Sequence, residues 1–179
     1  MLAVTGLYKT LLVLHLLAVI VGFGPAMMAG LWGAEAKKRR GREGLAIAEA
    51  TTKVVGTYAE WAIYAVPVFG ILLVLASEDA WKFSQAWISL SFLIYFAALG
   101  VVHAVHMPNL RRMNELMAEL VAGPPPGAGG AGGAGGGPGG PPPQVAEIEA
   151  RGKKAGMVGG LLSLMAVAVV VLMVFKPGI

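Results

Sequence analysis

Four ionisable side chains fall inside stretches that otherwise read as apolar: His15, Glu60, His103 and His106. Between Thr10 and Ala34 the one ionisable group is His15. A neutral imidazole at such a place has three uses: a hydrogen bond to a neighbouring helix, ligation of haem or a metal, or a polar translocation path. His103 and His106 are i,i+3 neighbours just ahead of Pro108. Their alternatives are an interfacial polar pair or metal ligation. Glu60 cannot remain ionised and alone in hydrocarbon, so it must be protonated or paired with a histidinium, a tyrosine or a metal. Tyr64, one helical turn on, is its nearest local partner. Two His and one carboxylate, Glu60, His103 and His106, would together suit Fe, Mn or Zn with open positions.

These residues are placed by four apolar runs. The chain has 179 residues, 56% of them hydrophobic and 13% charged, with a mean hydropathy of +0.71. Such a composition suits lipid rather than water. The runs cover about residues 6–33, 54–76, 83–107 and 155–175, and each can span a ~30 Å hydrocarbon core, which takes about 20 helical residues. The expected fold is all-α, a single antiparallel four-helix transmembrane bundle over residues 1–179. The first run is too long for a signal peptide, and its basic cluster follows it rather than precedes it.

The 14 Lys and Arg residues are unevenly placed. Lys37, Lys38, Arg39, Arg40, Arg42, Lys53, Arg111, Arg112, Arg151, Lys153 and Lys154 fall on one side of the expected layout, and Lys9, Lys82 and Lys176 on the other. By the positive-inside rule both termini lie outside the cytoplasm, N-out and C-out, in a bacterial inner membrane. The net charge of +4 therefore reads as a topology signal and as contacts for anionic headgroups, not as a nucleic-acid surface. Zero cysteines exclude disulfides, thiolate catalysis, iron–sulfur clusters and c-type haem.

Residues 123–143 are Gly, Pro and Ala alone, the composition of a flexible cytoplasmic linker. On its two sides helical pattern resumes. Leu110, Met113, Leu116 or Met117, and Leu120 share a face, and Glu147–Arg151 and Glu149–Lys153 are favourable i,i+4 pairs. Spans three and four are thus expected to continue beyond the membrane.

Small residues recur every four along span one (Gly22, Ala26, Gly30, Ala34), and Gly156 and Gly160 form GxxxG in span four. Such stripes serve helix contacts within one bundle or a homodimer seam. We read them as inward faces, and His15, two turns before Gly22, shares its face. Counting ~1.5 Å per residue puts Glu60 about 9 Å, and His103 about 6 Å, above the inner ends of their helices, at one level. The same counting separates His15 from His103 by roughly 15 Å in depth, too far to clamp one haem. A second axial ligand for His15 would have to be Met165, Met173 or a tyrosine.

Residues Leu7 to Val19, with His15 among them and Gly22 and Gly24 after, resemble the opening of a bacterial family of predicted four-span membrane proteins of unknown function. The stretch from Trp81 to Trp87 adds to the likeness. That family's first helix is similar in turn to those of copper-resistance D-type proteins and of the haem-using membrane protoporphyrinogen oxidase, in which a first-helix histidine is important. The resemblance implies the four-span fold and, at His15 alone, a ligand for haem b. No catalytic triad, phosphate loop or HExxH occurs. The sequence therefore points to a small non-enzymatic inner-membrane protein in contact with lipid, an accessory subunit of a membrane complex or a homodimer. The alternative is a haem- or metal-binding redox protein using His15 or Glu60/His103/His106.

Overall fold

The computed structural model describes residues 6–39, 41–123 and 143–177. Arg40 and residues 124–142, nearly all of the expected linker, lie outside the described residues. The described chain is helical without strands. Four long helices follow one another: α1 (Gly6–Lys38), α2 (Arg42–Leu75), α3 (Ala86–Ala122) and α4 (Pro143–Phe175). All four are long and apolar enough to cross a membrane. At ~1.5 Å per residue each is about 50 Å long, well beyond a ~30 Å core. The excess lies at the end carrying the basic residues. Hydropathy marked only the lipid-immersed parts, because the amphipathic residues 42–53 and 107–122 continue the same helices in polar surroundings.

At that basic end the helices are tied by charge and amide groups. Arg112 reaches Glu115 at 3.2 Å and Glu119 at 3.4 Å on its own helix, and Glu147 of α4 at 3.9 Å. Arg151 pairs with Glu147 at 2.7 Å, and Asn109 donates to the Arg151 carbonyl at 2.9 Å. Asn114 donates to Thr52 Oγ1 of α2 at 3.0 Å. Leu116, only 1% exposed, fills the space between them. Leu116 of the stripe on α3 is thus packed inside, whereas Leu120 near its end stays 39% exposed.

At the opposite end the turn between α2 and α3 is tightened by Ser77, whose hydroxyl donates to the Val74 carbonyl and accepts from Trp81 N–H. Trp81 holds both ends of the described chain. Its Nε1 donates to Tyr8 Oη at 3.1 Å, and the Lys176 ammonium lies 3.9 Å from its ring centroid, a cation–π contact. Both described chain ends therefore share one end of the bundle.

α1 packs most closely on α2, and α3 on α4. Between α2 and α3, close backbone approach is concentrated in the basic extensions, residues 42–53 against 107–122. At membrane level long side chains cross the gap instead. Two stretches depart from α geometry at this level: Val54–Ala59 in α2 and Val102–His106 in α3 are π-wound. Each follows from local chemistry. Thr51 and Thr52 turn their hydroxyls onto the Ile47 and Ala48 carbonyls just before the first, competing with the ladder. Pro108 follows the second, and its ring collides with a regular carbonyl four residues back unless the helix widens.

The small-residue stripes divide. A Cβ on Gly22 would stand 2.9 Å from Ile63 Cγ1 and 3.0 Å from its backbone N, so α1 and α2 meet there because Gly22 has none. Gly159 faces His106. A Cβ at Gly30, Gly156 or Gly160 would meet nothing within 4 Å. The inward reading of the GxxxG stripe in α4 is therefore corrected: that stripe faces out of the bundle.

Candidate functional site

Glu60 opens the regular part of α2 directly after the π-wound stretch, with Tyr64 one turn on along the same face. Ala59, 1% exposed, anchors the backbone beneath them. Tyr64 Oη donates to Glu60 Oε1 at 2.7 Å and lies 2.7 Å from His103 Nε2 of α3. A phenol has one proton, so with Glu60 as its acceptor the His103 N–H donates to Tyr64. Glu60 Oε1 and His103 Nε2 are 3.7 Å apart. The Tyr64 and His103 rings are stacked, 13° from parallel. The three polar atoms thus cluster across the α2–α3 gap. They stand at the open side of that seam: 32% of the Glu60 side chain and 44% of His103 remain accessible.

His106 does not join them. Its Cε1 lies 3.9 Å from where a Gly159 Cβ would be, and its Nδ1 is buried without a hydrogen-bond partner among the described residues. The i,i+3 spacing assumed an α-helix, in which residues three apart nearly share a face. Over Val102–His106 the turn is wider, because bonding is i→i+5, and three residues sweep a smaller part of it. His103 therefore faces α2 while His106 faces α4. Among the described residues no three His, Cys, Asp or Glu side chains converge as metal ligands. The set Glu60, His103 and His106 is not brought together; Glu60 and His103 are, and Tyr64 takes the third place.

His15 is 6% exposed and makes a different contact. Its Nδ1 lies 3.0 Å from the Val66 carbonyl of α2, and its Cε1 would be 3.6 Å from a Cβ on Gly70. Val66 precedes Pro67. Proline has no N–H for the carbonyl four residues back, that of Ile63, and Tyr95 of α3 donates its hydroxyl to it at 2.5 Å. The proline thus leaves the Ile63 carbonyl to Tyr95 of α3, while His15 of α1 takes the Val66 carbonyl beside it. Val66, Ala18 and Tyr95 form the buried core around these bonds, with Phe23 edge-on to Tyr95.

The surroundings of His15 do not fit a haem. A porphyrin laid on an imidazole that is 6% exposed would have to part α1 from α2. The histidine reads instead as a helix-to-helix hydrogen bond.

A search of curated proteins found no match, and neither did a search of solved structures. These comparisons do not show the likeness to the copper-resistance proteins and the oxidase. A family model described as a predicted integral membrane protein, DUF2269, matches residues 9–126, more than half of the chain and most of α1, α2 and α3. With four apolar helices long enough to span a bilayer, this chain is a multi-pass integral membrane protein and belongs to the DUF2269 family.

Proposed function

We propose that this chain is a non-enzymatic subunit of the bacterial inner membrane, both termini outside the cytoplasm, that joins a larger assembly through α4. The observation that carries this reading is the outward glycine stripe. Gly152, Gly156 and Gly160 recur every four residues, and a Cβ on any of them would meet nothing within 4 Å. None of the apolar stretch of α4 is buried inside the chain, and Met157, Leu161 and Leu164 flank the stripe, exposed. A glycine in a helix interior costs about 1 kcal/mol relative to alanine. Lipid gives nothing back for that cost, whereas a second helix does, because backbones can approach closely where side chains are absent.

The chain has no native cysteine, so single-cysteine variants carry one reporter each. A benzophenone attached through Met157→Cys or Leu164→Cys in native membranes is expected to give protein adducts of defined mass. Leu162→Cys, on the half-buried face of α4, is the control. A second copy of the chain and a different subunit are distinguished by adduct mass. Lipid adducts alone from the two glycine-face positions would end this reading.

A further inference from the structure

We propose that Glu60, Tyr64 and His103 form a three-donor site for one first-row transition-metal dication of the zinc, iron(II) or manganese class, independent of how α4 is used.

Donor spacing is the first argument. The three polar atoms stand 2.7, 2.7 and 3.7 Å apart. Ligands around a tetrahedral ion with ~2.0–2.1 Å bonds are separated by roughly 3.3–3.4 Å, and around an octahedral one by about 2.9 Å. The observed triangle brackets both, so sub-ångström side-chain movements would admit an ion.

Charge is the second. Glu60 sits about 22 Å along α2 from its Leu75 end, in the part of the helix that lies within a ~30 Å core. Its one ion-pair partner among the described residues is His103, and no Lys or Arg reaches it there. An ionised carboxylate at that depth is stabilised by a nearby positive charge beyond what the Tyr64 hydrogen bond supplies. A dication supplies it while leaving His103 neutral, the form in which imidazole binds a metal.

Donor chemistry and access narrow the class. One carboxylate, one imidazole and one phenol, without sulfur, favour borderline ions over copper(I), and the imidazole disfavours Mg and Ca. The accessible Glu60 and His103 surfaces leave a side of the ion uncovered by this chain and open to a further ligand. Both helices are π-wound next to the donors, a distortion that recurs at functional sites. When the ion enters, the Nε2 proton of neutral His103 moves to Nδ1, any proton on Glu60 is released to solvent, and Tyr64 binds either as the phenol or, after losing its proton to solvent, as phenolate.

The test uses the full chain, purified in detergent and stripped with a chelator, with Co2+ and Zn2+ as probes. Co2+ is expected to bind at one per chain with visible d–d bands that Zn2+ abolishes. Glu60→Gln and His103→Ala should each weaken binding by at least about 100-fold, more than the loss of an outer-shell partner. Tyr64→Phe should shift the bands and weaken binding less. His106→Ala, on the α4-facing side, should leave the titration unchanged. Helical circular dichroism establishes that each variant is folded. In the wild type, Zn2+ should also move the His103 Nε2 nitrogen resonance, a readout that needs no variant. No saturable binding by the folded wild type, or binding that survives both Glu60→Gln and His103→Ala, would overturn the site.

Discussion

Tyr95 of α3 donates its hydroxyl to the carbonyl of Ile63 in α2, the carbonyl that Pro67 leaves without its helical N–H. A helix defect in one span and a phenol in another therefore form one unit. Tyr95→Phe should destabilise the bundle by about 0.6–1.7 kcal/mol, the range of interhelical hydrogen bonds in membranes. Pro67→Ala supplies the missing N–H, so Tyr95→Phe should cost less in that background. Unfolding in mixed detergent across the double-mutant cycle measures the coupling, and additive effects would sink the assignment.

His15 should behave as a structural hydrogen-bonder. His15→Leu is expected to lose a similar 0.6–1.7 kcal/mol by freeing the Val66 carbonyl. The purified wild type is expected to show no Soret absorption. A Soret band that vanishes in His15→Leu would restore the haem reading.

Gly22 and Gly156 should respond oppositely to the same substitution. Gly22→Ala drives a methyl onto Ile63 and its backbone and should destabilise the monomer by about 1–3 kcal/mol, as overpacking does. Gly156→Ala enters open space and should leave the monomer as stable or slightly more so, by up to ~1 kcal/mol. Its effect should appear in the yield of α4 adducts in native membranes. Equal thermal shifts for the two variants would contradict this division of faces.

Both termini should be outside the cytoplasm, following the placement of the basic residues. A fluorescent protein that matures only in the cytoplasm, inserted within residues 125–140, should glow. Periplasmic phosphatase activity from the same insertion point would reverse the topology.

Much of this arrangement was legible in the residues, and the reasons differ from one to the next. Apolar run length reported four spans because lipid imposes both a composition and a length. Counting rise per residue set Glu60 and His103 at one level, and i,i+4 spacing put Tyr64 beside Glu60. The displacement of His106 was not legible, since the spacing of two histidines does not tell α from π winding; Pro108 was the available signal. GxxxG announces a close approach without saying to which helix, so the outward turn of Gly156 and Gly160 had to come from the packing of α4. The partner of His15 is a backbone carbonyl, that of Val66 in another helix, and nothing local to the first helix points to it.

The seam between α2 and α3 also has a mechanical meaning. The molecule is two hairpins, α1–α2 and α3–α4, hinged where their basic extensions pack backbone to backbone. At membrane level they are laced by discrete bonds, Tyr95 to Ile63 and Tyr64 to His103 and Glu60. Such a joint yields in steps rather than by gradual sliding, because parting it strips each polar partner outright in a medium that offers no substitute. Separating α2 from α3 at membrane level therefore means breaking these bonds one by one.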